Sequence, residues 1–185
     1  VTEGPTGVAA TARPGAALIE LSTVGPAAVA RLASVVAPGV ELIDAPVLGS
    51  LAKAESGTLR IFVGGHPQTI QRCRPPLAAL GTPVLVGGPG SGASAKLVAN
   101  SSVFGVLGAM GEAIALAQGL GLSRDATFEV LSATPLAQQA QRRRCAIETD
   151  QYPRRFGLSL ARKDADLIVK ASAAAGLDLS LARAI

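Results

Sequence analysis

A lysine and an asparagine stand four residues apart in GSGASAKLVAN, the stretch from Gly90 to Asn100. On an α-helix four residues turn through about 400°, so Lys96 and Asn100 share a face. Gly92 falls on that face one turn earlier and leaves bare backbone where a side chain would stand. An ammonium that can release a proton, a carboxamide that binds oxygen without adding charge, and open space beside them suit one task. They can hold a small polar molecule and pass it a proton. A lone lysine near a helix start is ordinarily a solvated surface residue, so the rest of the chain must support the reading.

Competing chemistries lack their residues. Cys73 and Cys145 are far apart and His66 is the sole histidine. There is no metal-ligand spacing and no disulfide framework, so no metal is expected. Both thiols read as structural, in a reducing cytoplasm. His66 lies between Gly64-Gly65 and Pro67, where a turn is expected, and no nucleophile relay can be built on it alone. The net charge of +4 and pI near 9.6 invite a nucleic-acid reading. Apart from Arg142–Arg144, however, the cations are dispersed, and no aromatics interleave with them for base stacking. No nucleic-acid partner is expected, and the arginine run reads as a solvated face or an anion contact. No secretory signal pattern opens the sequence. The longest uncharged apolar run lies between Lys96 and Glu112 and contains Asn100, Ser101 and Ser102. It falls short of the roughly 20 residues a bilayer requires, so it reads as a buried helix, and no membrane is expected.

The elements that must position Lys96 follow from composition and patterning. Hydrophobic residues make up 49% of the 185, charged residues 16% and aromatics 3%, so the core must be aliphatic and its backbones close. Ala17–Leu21 reads as a buried strand, with Ser22-Thr23 as a cap before a helix that Pro26 opens and that runs through Ala27–Val36. Val40–Ile43 is apolar again and ends in Asp44-Ala45-Pro46. Thr58–Val63 alternates as a strand. Pro67–Leu80 is helical, with Pro75-Pro76 expected to bend or break it. Val84–Val86 makes one more short strand, and the alternation predicts an α/β layered domain.

Beyond Gly92 the strand signals stop. Ala93–Leu120 can form one helix of about 42 Å, apolar nearly all round and therefore expected to be enclosed on all sides. Gly105, Gly108 and Gly111 each cost it about 1 kcal/mol of helix propensity, which close packing by another helix would offset. Further helices are expected at Ser123–Ser132, Leu136–Ile147 and Ala161–Ala174. The division predicted is 1–89 for a layered domain and 90–185 for the long helix plus a helical domain. GGPGSG (87–92) does not match the glycine spacing of a dinucleotide fingerprint and follows a strand at the end of its domain.

Several separated stretches, IELSTVGP (19–26), DAPVLGS (44–50), AESGTLRIFVGG (54–65), GSGASAKLVAN (90–100) and LARKDADL (160–167), resemble in order and spacing the β-hydroxyacid dehydrogenases. That group includes 3-hydroxyisobutyrate dehydrogenase and the glyoxylate/succinic semialdehyde reductases, within the 6-phosphogluconate dehydrogenase superfamily. The resemblance implies a Rossmann-type α/β nucleotide-binding domain, here partial, followed by a long interdomain helix and an all-α domain. It implies NAD or NADP as cofactor, a small carboxylate or aldehyde substrate in the cleft between the domains, and a homodimer or higher homo-oligomer. Lys96 takes the place of the catalytic general acid/base and Asn100 that of its partner. Thr23 falls at the nicotinamide end of the cofactor, and Lys163 reaches the cofactor from the helical domain. Leu48, Gly49 and Ser50 fall on the substrate-carboxylate loop. Asp164 is expected to cap or pair within its own helix. Burial beside apolar walls and a second cation would lower the Lys96 pKa.

The sequence departs from that pattern twice. The family's loop often reads DAPVSGG, and Leu48 replaces its serine, which makes the wall more apolar and leans toward semialdehyde reductases. The family's opening βαβ unit with its glycine fingerprint is missing ahead of IELSTVGP, and Val1-Thr2 runs into Glu3–Val8 without the helix the family places between them. These residues are therefore expected to be parts of a longer chain, and they hold no pyrophosphate cradle of their own. The function implied is an NAD(P)-dependent oxidoreductase interconverting a small β-hydroxyacid and its semialdehyde. An imine reductase-like enzyme and a non-enzymatic dimerisation or binding remnant are the alternatives.

Overall fold

The computed structural model describes residues 2, 4, 6–153 and 156–185. The compressed opening at Val1-Thr2 and Glu3–Val8 lies partly outside the described residues. After a short helix α1 (Val8–Thr11), strand β1 (Ala17–Glu20) leads into helix α2 (Pro26–Val35) and strand β2 (Glu41–Asp44). A two-residue strand β3 (Val47–Leu48) and a short helix α3 (Leu51–Glu55) precede β4 (Leu59–Gly64), α4 (Pro67–Leu80) and β5 (Gly81–Gly87). The small elements α1, β3 and α3 fall below the length at which hydrophobic periodicity becomes readable.

The sheet is mixed. β1 and β2 pair in parallel, as do β4 and β5. β3 runs antiparallel along β4 through Val47–Ile61 and Leu48–Arg60, and β2 meets β4 antiparallel only at Asp44 and Gly64. Its core holds Ile43, Ala45, Leu59, Ile61 and Val63, with Cys73 and Leu77 of α4 packed on them. Alternate residues of a strand face one side, so Leu59, Ile61 and Val63 are buried while Arg60 is exposed. This is the Rossmann-like layered half that the sequence predicts.

The helical half begins with α5 (Ser91–Gly119), followed by α6 (Arg124–Ser132), α7 (Ala137–Thr149), α8 (Leu158–Ala174) and α9 (Ser180–Ala184). Ser123 caps α6 by accepting from the Ala126 N–H at 3.2 Å. Met110, Phe128, Leu131 and Ala140 form a second core where α5, α6 and α7 meet.

Several sequence expectations change. α4 is one continuous helix with Pro75 and Pro76 inside it. Those prolines remove bonds to the carbonyls of Gln71 and Arg72, both exposed, so water can take the place of the missing donors. The cap of α2 is Gly25, at φ 78°, and not Ser22-Thr23. A Cβ at Gly25 would lie 3.5 Å from Leu167 Cδ2, so the turn is built where α8 touches the layered half. Cys145 is exposed, whereas Cys73 is buried. α5 is not enclosed on all sides by this chain: Val98 and Leu116 are largely exposed, as is Leu120 just past its end. By length and mean hydropathy (1.4) it passes as a membrane-crossing helix, yet its first turns pack on the sheet and bury a lysine and an asparagine.

Gly92 is also not open space. A Cβ there would stand 2.4 Å from the carbonyl oxygens of Asp44 and Phe62, so the glycine lets the helix backbone touch the sheet. Gly105 similarly admits Leu181 of α9, whose Cδ2 would be 3.2 Å from an added Cβ, whereas nothing lies within 4 Å at Gly111. Urea unfolding should therefore separate the two sites. Gly92→Ala is expected to lose about 1–3 kcal/mol by overpacking, and Gly111→Ala to gain up to about 1 kcal/mol from helix propensity.

Candidate active site

The start of α5 packs against β2, β3, β4 and β5, and its flank packs against α8. Lys96 and Asn100 lie on the covered face, 9% and 7% exposed. The four-residue spacing thus places both where it predicts, one turn apart in the interior. Opposite them on α8 sits Asp164, 3% exposed. Asn100 Nδ2 donates to Asp164 Oδ2 at 2.8 Å. Asp164 pairs with its helix neighbour Lys163, as expected, and in addition its other oxygen takes a buried hydrogen bond across to α5.

Lys163 Nζ lies 2.7 Å from Asp164 Oδ1. That is an ion-pair distance, although Oδ1 has no hydrogen-bond donor among the described residues. Lys163 instead donates to the Thr23 carbonyl at 2.5 Å. The two residues expected at the cofactor, one from each half of the chain, are thus in direct contact. Leu167, one turn further along α8, approaches Gly25. Between Thr23 and Gly25 the layered half therefore meets the helix that carries Lys163 and Asp164.

The electrostatics follow from this crowding. Burial pushes the Lys96 pKa below its ordinary 10.5, Asp164 partly restores it, and the Lys163 ammonium lowers it again. Removing an ammonium from water favours its neutral form, a nearby carboxylate favours the charged form, and a second cation opposes it. The neutral amine of Lys96 is therefore easier to reach than that of a surface lysine.

The loop expected to hold the substrate carboxylate is less committed. Leu48 is half-buried in the β3–β4 pair, while Gly49 and Ser50 are exposed. A Cβ at Gly49 would meet Leu59 Cδ2 at 2.5 Å and Lys53 Cβ at 3.2 Å, so a larger residue there would have to displace the Leu59 side chain. Ser50 occupies the N-cap position of α3 without spending its hydroxyl on the cap. No hydrogen bond joins this loop to Lys96 or Asn100 among the described residues. No cluster of metal-ligating side chains exists among the described residues.

Of the residues expected to hold a nicotinamide cofactor, Thr23 and Lys163 come together, the Lys163 ammonium donating to the Thr23 carbonyl. Gly87 and Gly92, by contrast, are packed against Ser91, Asp44 and Phe62, so GGPGSG is structural spacing and no phosphate cradle.

Sequence reasoning passed over Asp44. Its carboxylate, 1% exposed, accepts from the Gly90 N–H at 2.8 Å and the Ala93 N–H at 2.7 Å. An apolar strand pair, Leu42-Ile43, closed by an acid, ahead of a glycine-led helix lacking its own cap, was the available signal. The arginine run resolves as a surface tie. Arg144 bonds Glu148 and Asp125 and lies 5.0 Å over the Phe128 ring, and Arg143 bonds Gln139.

Residues 1–88 match the NAD-binding domain of 6-phosphogluconate dehydrogenase, and residues 90–185 match the NAD-binding domain of NADP-dependent 3-hydroxyisobutyrate dehydrogenase. The 2-(hydroxymethyl)glutarate dehydrogenase of Eubacterium barkeri is 30% identical over 92% of this chain and 58% of its own length. A probable 3-hydroxyisobutyrate dehydrogenase of Mycobacterium tuberculosis is 31% identical over 92% of this chain and 62% of its own. A solved structure of Mycobacterium tuberculosis 3-hydroxyisobutyrate dehydrogenase with L-serine superposes with a TM-score of 0.81 at 30% identity, covering 96% of this chain and 64% of that one. The chain thus spans somewhat under two thirds of these relatives.

The crowding at Lys96 makes a testable statement. An NMR titration of the Lys96 side chain is expected to give a pKa below 10.5, lower still in Asp164→Asn and higher in Lys163→Met. A depressed pKa means that the unfolded chain binds more protons between the folded value and 10.5. Stability should then rise with pH across that window and be lost as pH falls through the folded value.

Proposed function

Because the chain belongs to the β-hydroxyacid dehydrogenase family of the 6-phosphogluconate dehydrogenase superfamily, we propose that it acts as an NAD(P)-dependent oxidoreductase. Its substrate would be a small β-hydroxyacid or the corresponding semialdehyde. The observation that carries this reading is the buried Lys96 with its pKa depressed, one turn from Asn100 and opposite Asp164. When bound, the nicotinamide supplies or accepts the hydride. The protein's residues handle the rest.

In the reducing direction the Lys96 ammonium faces the carbonyl oxygen, stabilises the negative charge that develops there and then donates its proton. In the oxidising direction the neutral amine accepts the hydroxyl proton. Asn100 holds the same oxygen without altering the charge, and its carboxamide is oriented by Asp164. Thr23 and Lys163 would hold the nicotinamide end of the cofactor. Backbone amides at Leu48, Gly49 and Ser50, with the Ser50 hydroxyl, bind the substrate carboxylate, and the Leu48 side chain gives the pocket an apolar wall. Two free thiols suit a reducing compartment such as the cytoplasm.

The exposed apolar residues of the helical half, among them Val98, Leu116, Leu120, Leu158 and Leu181, support a homodimer or larger homo-oligomer. Sedimentation velocity at micromolar concentration is expected to give an associated species, and a stable monomer would overturn that assignment. For the chemistry, Lys96→Ala should lower turnover of glyoxylate or succinic semialdehyde by about 10²–10⁴-fold while cofactor affinity and folding are kept. Near-wild-type turnover would remove Lys96 from its role, and preferential reduction of a cyclic imine would move the enzyme to imine chemistry.

A further inference from the structure

One buried carboxylate lies outside the group around Lys96 and bonds the helix that carries it. Asp44 ends β2, and its two oxygens are divided between two backbone donors, Oδ1 with the Gly90 N–H and Oδ2 with the Ala93 N–H. Those donors belong to the N-cap and the first turn of α5, which no side chain of its own caps. The first N–H groups of a helix lack partners within it, and their partial positive charge favours an anion. A side chain 46 residues upstream of Gly90 therefore fixes where α5 begins.

The surrounding glycines make that seating specific. A Cβ at Gly64 would lie 2.6 Å from the Gly92 nitrogen and 2.8 Å from Asp44 Oδ1, and one at Gly92 would strike the Asp44 carbonyl. From Asp44 the chain passes through Ala45-Pro46 directly into Val47–Ser50. The residue that seats the helix bearing Lys96 thus also ends the strand that feeds the loop assigned to the substrate carboxylate.

Resting on the reading of Lys96 given above, we propose that Asp44 is a positioning residue for the proton transfer. Its paired hydrogen bonds hold the first turn of α5 at a fixed distance from residues 48–50. A substrate anchored on that loop then presents its reacting oxygen to Lys96 Nζ. Asp44 itself touches neither substrate nor cofactor. Misplacement of a reacting group by an ångström is enough to cost large factors in rate.

The test is a double-mutant cycle in the full-length enzyme. Asp44→Asn keeps the shape and one acceptor but turns an amide N–H toward a backbone N–H. In an otherwise wild-type enzyme, turnover per folded active site is expected to fall at least about ten-fold, with the KM for NAD(P)H within about two-fold. In a Lys96→Ala background the same substitution should change turnover by less than about two-fold, because the group it positions is gone. An equal loss in both backgrounds, or a loss that vanishes after correction for the folded fraction, overturns the positioning role and leaves Lys96 standing. Undiminished turnover in Lys96→Ala alone overturns the Lys96 reading instead. Asp44→Ser, smaller and retaining one acceptor, is the second variant and is read in the same way. If neither variant folds, Asp44 is a folding requirement alone and the proposal fails.

Discussion

An ammonium withdrawn from water must be compensated by nearby charge or must yield its proton, and the arrangement around Lys96 follows from that requirement. Asp164 gives partial compensation across the α5–α8 contact. Lys163 works against it from the next position along α8, and its own charge is drawn off by Asp164 and the Thr23 carbonyl. Burial outweighs the compensation, and the Lys96 pKa stays below its ordinary value. The carboxylate that moderates it also orients Asn100, so charge and geometry depend on one contact between helices.

That contact is possible only because backbones approach closely elsewhere. The chain has few aromatics, and its layered half is sealed by small aliphatic residues and by glycines at crossing points. Gly92 and Gly64 let α5 lie against the ends of β2 and β4. Gly25 lets Leu167 reach the entrance of α2. Here glycine trades helix propensity for proximity, and proximity brings Lys96 from the helical half within the compass of the sheet.

Much of this was legible beforehand, for identifiable reasons. The helix and strand alternation through residue 87 and the long helix after it follow from periodicity. The pairing of Lys96 with Asn100 follows from a four-residue spacing on that helix. The resemblance brought Thr23 and Lys163 to the same region, and the hydrogen bond between them is a contact between residues 140 apart in sequence that no local pattern encodes. Gly92 illustrates the converse. Its place on the Lys96 face is correct, yet a bare backbone position reads equally as a void or as a tight crossing, and only the tertiary neighbours decide. Asp44 and the bond from Asn100 to Asp164 escaped for a similar reason. An acid's role depends on which distant donors surround it, and neither carboxylate sits in a pattern that names its partner. The uninterrupted α4 shows propensity overridden, because its prolines free only carbonyls that face solvent.

The sheet carries one further implication. Asp44 and Gly64 are the last residues of their strands and face each other, and Gly87, the end of β5, pairs with Gly64. Three strands thus finish at one spot, and the chain leaves it toward the 45–50 loop, the His66 turn and α5. Variation in length among these three connections cannot be absorbed locally, because each departs from the same crowded junction. Natural or engineered insertions in this scaffold should therefore accumulate at distant turns, such as those between the later helices, and avoid the residues that flank this meeting point.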